Sequence, residues 1–330
     1  LGRHLESFPG SNLMPQIVSP DLNAQNFVPF PDFARGSSYA ATIGSSYYHG
    51  LQTKVEKQFS RGFNFLATYT WSKVRSDARD LLNGFSAGGY RAPGVPGVGI
   101  HADYGLANFD VRNVVHLSGG YELPFGKGKR FASGAEGVAN TLFGGWSINW
   151  ASTLQGGQPI EIGCPTGTAA GLGCRAFVVS GVDPTPGRHL VNGFPVFLNP
   201  AAFRQPCKVG STNSPNGCVP LSGVDALGGP QPTEVPGPGF HRLDMSLFKD
   251  FRLSERYRLQ FRSEFFNILN HPNFNAPGFG GNGVVAIPGS TNFTPNTNGT
   301  FGSGTFGRSG STRDAPYDPR QIQLALKMYF

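Results

Sequence analysis

Charged residues are scarce in this chain and long apolar runs are absent, which excludes several architectures. Asp, Glu, Lys and Arg make up only 14% of the 330 residues, so long charged helices are disfavoured. The uncharged run of residues 137–160 contains Asn, Gln, Ser and a Gly-Gly pair and is too polar for a membrane-spanning helix. The chain has instead 47 Gly, 27 Pro, 28 Phe and 10 Tyr. That many aromatic residues argue against disorder and favour strands joined by loops.

The net charge of +7 is spread along the chain. Its densest cluster, Lys127-Gly-Lys129-Arg130, is short and is predicted to lie in a tight turn. A nucleic-acid interface needs a basic face with interleaved aromatic residues or a recognised module, and neither is visible. We therefore expect no nucleic-acid partner.

Only four cysteines occur, and they form two local pairs, Cys164 with Cys174 and Cys207 with Cys218. Four cysteines allow three connectivities, and proximity along the chain favours these two small loops. A zinc site is the alternative, but it would want CxxC-type spacing or nearby His. Two disulfides are therefore the favoured prediction, without a metal or cofactor, and they imply an oxidising compartment such as the cell envelope.

The last residues of the chain alternate strictly between apolar and polar side chains. One face of an extended strand would carry Ile322, Leu324, Leu326, Met328 and Phe330, and the other would carry Gln321, Gln323, Ala325, Lys327 and Tyr329. The stretch 320–330 is about as long as a tilted strand that crosses a bilayer, roughly 9–11 residues. We predict a membrane strand with its apolar face outward, ending in an aromatic residue that resembles an outer-membrane assembly signal.

Seven segments are predicted as amphipathic strands from the same alternation. They cover residues 48–59, 63–74, 112–123, 146–155, 242–251, 257–269 and 320–330. Alternation alone does not say which face meets water, because a soluble sandwich shares it with the faces inverted. The connections favour the membrane: long and shorter ones alternate, as in a barrel with short periplasmic turns and long extracellular loops.

The predicted fold class is therefore all-β, an antiparallel transmembrane β-barrel with long extracellular loops. Residues 1–330 would form a single partial barrel domain. The first and last predicted strands both descend from a long loop, so they cannot close a barrel by antiparallel pairing, and bacterial single-chain barrels have even strand numbers. We expect about seven to eight strands of a larger barrel, with Phe330 on the periplasmic side.

Motifs along these strands point to a family. The longest are Tyr48-His-Gly-Leu-Gln-Thr-Lys-Val-Glu-Lys-Gln-Phe59, Leu243-Asp-Met-Ser-Leu-Phe-Lys-Asp-Phe251 and Glu264-Phe-Phe-Asn-Ile-Leu-Asn-His-Pro-Asn-Phe274. In this order they resemble the late barrel of the Oar-like TonB-dependent outer-membrane transporters, and the resemblance covers nearly the whole chain.

The resemblance implies a barrel of about 22 strands in the bacterial outer membrane, with an N-terminal plug. The plug, the remaining strands and the TonB complex would be partners, together with the lipid bilayer. Leu1-Gly-Arg-His-Leu5 looks like the tail of a preceding upward strand, and it has neither an initiator Met nor a signal-type apolar core. We therefore expect that plug and N-terminal domains are missing from this chain.

Many charged residues of the strands fall on or near the predicted lumen face. The carboxylates are Glu56, Glu122, Asp244, Asp250 and Glu264, and the basic residues are Lys54, Arg242, Arg258, Arg262 and Lys327. Acid–base catalysis would need two carboxylates at a fixed separation in a cleft, and no such pair is evident. His241 and Asp244 are a close His–carboxylate pair near the start of the fifth predicted strand. We predict an ion-pair ladder and no enzymatic activity.

Aromatic residues near strand ends are predicted to form membrane-interface girdles. They are Tyr69, Trp71, Tyr257, Tyr329 and Phe330. Ordinary β-propensity also enriches aromatic residues and is the alternative.

The expected function is ligand capture by extracellular loops and energy-coupled uptake. A surface adhesion or structural barrel that binds partners through its loops is the rival, and a soluble β-rich carbohydrate-binding module is a third possibility. No motif in the loops names the ligand.

Overall fold

The computed structural model describes the strands and part of their connections. The described residues are 2–7, 30–33, 41–77, 104–107, 109–161, 177–191, 194–204, 206–207, 219–220, 234–252, 254, 256–275, 307, 309, 312–313 and 319–330. Cys164, Cys174 and Cys218 lie outside them, and only the backbone of Cys207 is described. The two disulfides therefore stay predictions.

Strands dominate the described residues. In chain order they are β1 Gly2–Ser7, β2 Ala41–Ser60, β3 Phe63–Ser76, β4 Gly105–Leu106, β5 Asn113–Glu122, β6 Trp146–Gln155, β7 Pro159–Glu161, β8 Phe177–Val178, β9 His189–Val191, β10 Phe194–Val196, β11 Phe203–Arg204, β12 Pro206–Cys207, β13 Val219–Pro220, β14 Glu234–Pro236, β15 Phe240–Arg252, β16 Arg258–Phe266 and β17 Gln321–Tyr329. A short helix, α1, spans Gly137–Phe143, and a 3-10 turn spans Pro200–Ala202.

Eight of these strands form one antiparallel sheet in the order β1-β2-β3-β5-β6-β15-β16-β17, and β4 pairs with the far end of β3. Each of the seven predicted segments overlaps one strand of this sheet. β1 pairs only with residues 41–46 of β2. The sheet is open, with β1 and β17 at its edges.

Connections at the two ends of the sheet differ in length. One end carries the turns 61–62 and 253–257 and the connection 123–145, and the other carries 8–40, 77–112, 156–239 and 267–320. The tightest connection joins β2 to β3 through Arg61 and Gly62, whose φ angles are 53° and 79°. Two residues with positive φ form the turn that matches the twist of paired strands. We call the two ends the short-turn end and the long-loop end.

Register separates the side chains of the sheet into an apolar and a polar face. In β17, Leu324 pairs with Ser263 and Leu326 with Phe261, whereas Gln323 pairs with Glu264. On the apolar face, Ile322, Leu324, Leu326 and Met328 are 52–66% exposed. A sheet that exposes its apolar face is suited to lipid, because in water that face would have to be covered. The described strands form an antiparallel barrel wall that does not close on itself.

Aromatic rings of β3, β5 and β6 cluster around Phe63 on the apolar face. Trp150 stacks on Phe63 with ring centroids 6.0 Å apart, and Tyr121 meets Phe63 edge-on at 6.0 Å. A Cβ on Gly119 would lie 2.4 Å from Cζ2 of Trp150 and 2.6 Å from the Asn64 carbonyl oxygen. Only glycine therefore lets β3, β5 and β6 approach beneath the Trp150 ring.

Most buried apolar side chains lie outside the sheet. They belong to the described parts of 156–239 and 267–313, which pack together at the long-loop end and which we call the loop assembly. Its buried members are Ile160, Val196, Leu198, Ala202, Phe203 and Val235. Backbone hydrogen bonds join distant parts of it, from Phe197 N to the Gly307 carbonyl at 2.8 Å and from Ser309 N to the Pro195 carbonyl at 3.0 Å. The loop assembly is a small packed unit.

Candidate functional site

Ion pairs line the polar face of the sheet. The N–O distances are 2.6 Å for Lys54–Glu56, 3.0 Å for Arg242–Asp244, 2.7 Å for Arg262–Glu264, 3.9 Å for Arg258–Asp250 and 3.0 Å for Lys129–Glu122. Three of the pairs join residues two positions apart on one strand, because such residues share a face. The predicted ion-pair ladder is confirmed for Lys54, Arg242, Arg258 and Arg262, and Lys129 of the 126–130 turn adds a pair with Glu122.

These pairs are partly exposed, so each contributes at most about 1 kcal/mol to stability. Beyond stability, the ion pairs let water contact this face without giving it a net charge of one sign. Lys327 lies with its ammonium 4.8 Å from the Tyr329 ring centroid, and the Arg258 guanidinium lies 4.3 Å from the same ring. Tyr329 is therefore part of the polar face, and the prediction that it joins a lipid-facing girdle is wrong.

Two asparagines attach the loop assembly to the top of the polar face. Asn267 N donates to Asp244 Oδ1 at 2.8 Å, and Asp244 also accepts from Arg242 Nε at 3.0 Å. Asn273 exchanges two hydrogen bonds with the backbone of His241, at 2.7 and 3.0 Å. Both asparagines are buried. These contacts fix the chain leaving β16 over the beginning of β15.

A second layer of contacts extends this attachment. Arg313 N donates to the Asn273 carbonyl at 2.7 Å, and its guanidinium donates to the Pro238 carbonyl at 2.9 Å. Asn275 Nδ2 donates to the Thr312 carbonyl at 2.9 Å, and Ser309 Oγ donates to the Asn275 carbonyl at 2.8 Å. The described parts of these two connections are therefore held in place by polar groups, several of them buried and costly to leave unpaired.

His241 and Asp244 do not form a catalytic pair. They lie on opposite faces of β15, since they are three positions apart in a strand. The His241 ring instead lies 5.2 Å from the His271 ring. Among the described residues, no group of three or more His, Cys, Asp or Glu is placed to hold a metal ion.

Two carboxylates lie near the ends of the connection that joins β3 to β5. Asp77 accepts from Ser45 N and from Ser45 Oγ at 2.5 and 2.9 Å, and Asp110 accepts from Val74 N at 2.7 Å. Both carboxylates are buried. They satisfy backbone donors of β2 and β3 near the long-loop end of the sheet.

Other predicted girdle residues lie at the two ends of the wall. Tyr69 and Trp71 are exposed on the apolar face toward the long-loop end, and Tyr69 OH donates to Asn113 Oδ1 at 2.8 Å. Tyr257 and Phe330 are exposed at the short-turn end. Sequence reasoning missed Trp146 and Phe251, whose rings flank the Lys249 ammonium at 5.2 Å each. The signal in the sequence that could have revealed this contact is Lys249 itself, which alternates with apolar residues along its strand.

An open antiparallel wall with an exposed apolar face, a polar opposite face and long loops at one end defines a transmembrane β-barrel protein. Among the described residues, no helix is long and apolar enough to cross a bilayer. The family model for the outer membrane beta barrel domain matches residues 1–323, and the chain belongs to this family. It lies in the bacterial outer membrane. No curated protein matches the chain closely.

Proposed function

We propose that this chain is part of the barrel of an Oar-like TonB-dependent transporter. It captures a ligand at the long-loop end and passes it along the polar face by energy-coupled gating, without covalent chemistry. The observation that carries the proposal is the attachment of the loop assembly to the polar face through Asn267 and Asn273. Loops that are fixed over a polar wall provide a preorganised entrance, which lowers the entropic cost of binding.

The sequence motifs support the same proposal. The stretch 243–251 carries Asp244 and the stretch 264–274 carries Asn267 and Asn273. The residues that resemble the transporter family are thus the ones that hold the entrance together. Short turns face the periplasm and long loops face the outside in such barrels, so the loop assembly is on the side where nutrients arrive.

The complete gene product tests this proposal. The purified protein would be incubated with a small-molecule extract of spent growth medium, and retained compounds identified by mass spectrometry. Uptake of a retained compound is then followed in cells with and without TonB. We expect uptake to require TonB, and uptake that is unchanged without TonB would contradict the proposal.

A matched pair of variants locates the entrance. Asn273→Ala removes both bonds to the His241 backbone and is expected to lower ligand retention several-fold. Thr141→Ala, at the opposite end of the wall, removes only the bond from its hydroxyl to the Gly137 carbonyl at 3.0 Å and should leave retention unchanged. Equal losses in the two variants would place the entrance elsewhere.

A surface adhesion barrel is the second candidate. Val178 and Leu190 of the loop assembly are exposed apolar side chains, available for contact with a macromolecule. This candidate predicts that Val178→Ser with Leu190→Ser abolishes attachment of cells to a surface or partner, and that loss of TonB has no effect on attachment.

A further inference from the structure

The connection between β5 and β6 exposes apolar side chains at the short-turn end. In α1, Val138 is 76% exposed, Leu142 57% and Phe143 60%, and none of the helix residues is buried. Phe125 and Phe131 of the same connection are also exposed, with ring centroids 5.5 Å apart. Exposing these apolar side chains to water would be unfavourable, so we expect an apolar surface or solvent to cover them.

Two contacts place α1 on the lipid side of the wall. Trp146 and Lys249 pair with each other on the apolar face, and Lys249 shares this face with Leu326 through Phe261. Trp146 Nε1 donates to the Leu142 carbonyl at 2.9 Å, and Lys249 Nζ donates to the Gly144 carbonyl. The end of α1 is therefore held against the face that contacts lipid, rather than beneath the lumen.

Hydrogen bonds attach the basic turn 126–130 to this helix. Asn140 Oδ1 accepts from Lys127 N at 2.7 Å, and the Asn140 carbonyl accepts from Gly144 N at 2.9 Å. The turn carries three exposed cations, Lys127, Lys129 and Arg130. Lys127 contacts Glu136 at 3.3 Å and Lys129 contacts Glu122 at 3.0 Å. Cations outnumber carboxylates here, and both ion pairs are exposed enough for another anion to compete.

We propose that α1 and the basic turn form an interfacial anchor that binds phospholipid of the periplasmic leaflet. The apolar side chains enter the acyl region and the cations meet the phosphate groups, as in helices that lie in the plane of a membrane. Continuity with the lipid-facing wall identifies the occupant. Trp146 and Phe251 cover the Lys249 ammonium, so the charge that holds the helix is hidden from the acyl chains. This inference rests on the outer-membrane location and is independent of transport.

Photo-crosslinking of the full chain tests the anchor. A benzophenone amino acid replaces Phe143, or Leu190 in the loop assembly as a matched exposed control. Each protein is inserted into phosphatidylcholine vesicles with or without phosphatidylglycerol, and protease protection selects the inserted molecules before irradiation. We expect several-fold more phospholipid adduct at position 143 than at 190. An adduct yield at 143 no greater than at 190 would overturn the proposal.

A charge variant tests the basic turn separately. Lys127→Gln, Lys129→Gln and Arg130→Gln are combined in the protein that carries the crosslinker at position 143. The adduct yield should fall several-fold in vesicles containing phosphatidylglycerol and stay unchanged in pure phosphatidylcholine. An unchanged yield in both vesicles would overturn the assignment of the turn to phosphate groups.

Discussion

The sheet and the loop assembly place their apolar side chains in opposite environments: the sheet exposes them and the loop assembly buries them. In the sheet, residues such as Leu324 and Leu326 point away from the protein and are about two-thirds exposed, at 66% each. In the loop assembly, Leu198 and Phe203 are fully buried. Most of the sheet is held by backbone hydrogen bonds between long antiparallel strands, whereas the loop assembly has short strands and a packed interior.

The difference follows from the solvent of each region. Lipid accepts apolar side chains and requires only that backbone groups be paired, which long strands achieve. The loop assembly meets water, so it gains stability by removing apolar area from solvent. One chain therefore follows two sets of packing rules, and the boundary between them lies near the ends of β6 and β15.

The largest expected effect is in the loop assembly. Phe203→Ala should cost about 3–5 kcal/mol of local stability because it leaves a cavity in a small interior. Hydrogen exchange is expected to accelerate in residues 194–204 while β15 and β16 keep their protection. The exposed Leu190→Ala is the control and should change little. Loss of protection in the sheet as well would show that the two regions are not separate.

A substitution on the terminal strand tests the other side of the comparison. Leu324→Arg places a charge on the lipid face and should cost about 2–4 kcal/mol near the bilayer midplane. Gln323→Arg, the adjacent residue on the polar face opposite Glu264, should cost little. Denaturant unfolding in vesicles measures both. Similar costs for the two variants would contradict the assignment of the faces.

A smaller effect is expected where strands approach most closely. Gly119→Ala forces a Cβ against Trp150 and the Asn64 carbonyl, and should lower the unfolding free energy by about 1–3 kcal/mol. Gly134→Ala is the matched control, because a Cβ there meets nothing within 4 Å. Thermal unfolding followed by gel mobility separates them. If both variants behave like the parent protein, the aromatic contact is looser than described.

The smallest effect concerns the polar face. Lys54→Met removes an exposed ion pair with Glu56 and should change the unfolding free energy by less than about 1 kcal/mol. The change should shrink further at high salt. A larger, salt-independent loss would mean that Lys54 is part of a buried network rather than of a wetted wall.

Much of the sheet could be predicted because its pattern is local. β6 has the predicted bounds, 146–155, since Gly-Gly pairs flank its alternation on both sides. β2 begins earlier than predicted because residues 41–46 pair with β1 rather than showing apolar alternation. The predicted strand over 257–269 ends early because the chain turns at Asn267, whose φ is 48°.

Of the candidate site, only the polar face could be predicted from the sequence. Same-face carboxylates and cations follow from period two. The loop assembly could not be predicted, because its strands are two or three residues long and its contacts join distant residues, as Phe197 does with Gly307. The sequence shows Lys249 alternating with apolar residues, but not its partners Trp146 and Gly144, because these are about a hundred positions away along the chain.

The unequal height of the wall has a consequence for the cell surface. β2 has 20 residues and β17 has 9, and at about 3.3 Å per residue β2 is roughly 65 Å long. Crossing the bilayer uses only about 9–11 residues. With the short turns at one level, the upper half of β2 stands clear of the membrane as a rigid rim. An antibody, a phage tail fibre or a protease that approaches the bacterium would reach this rim before it reached any other part of the wall.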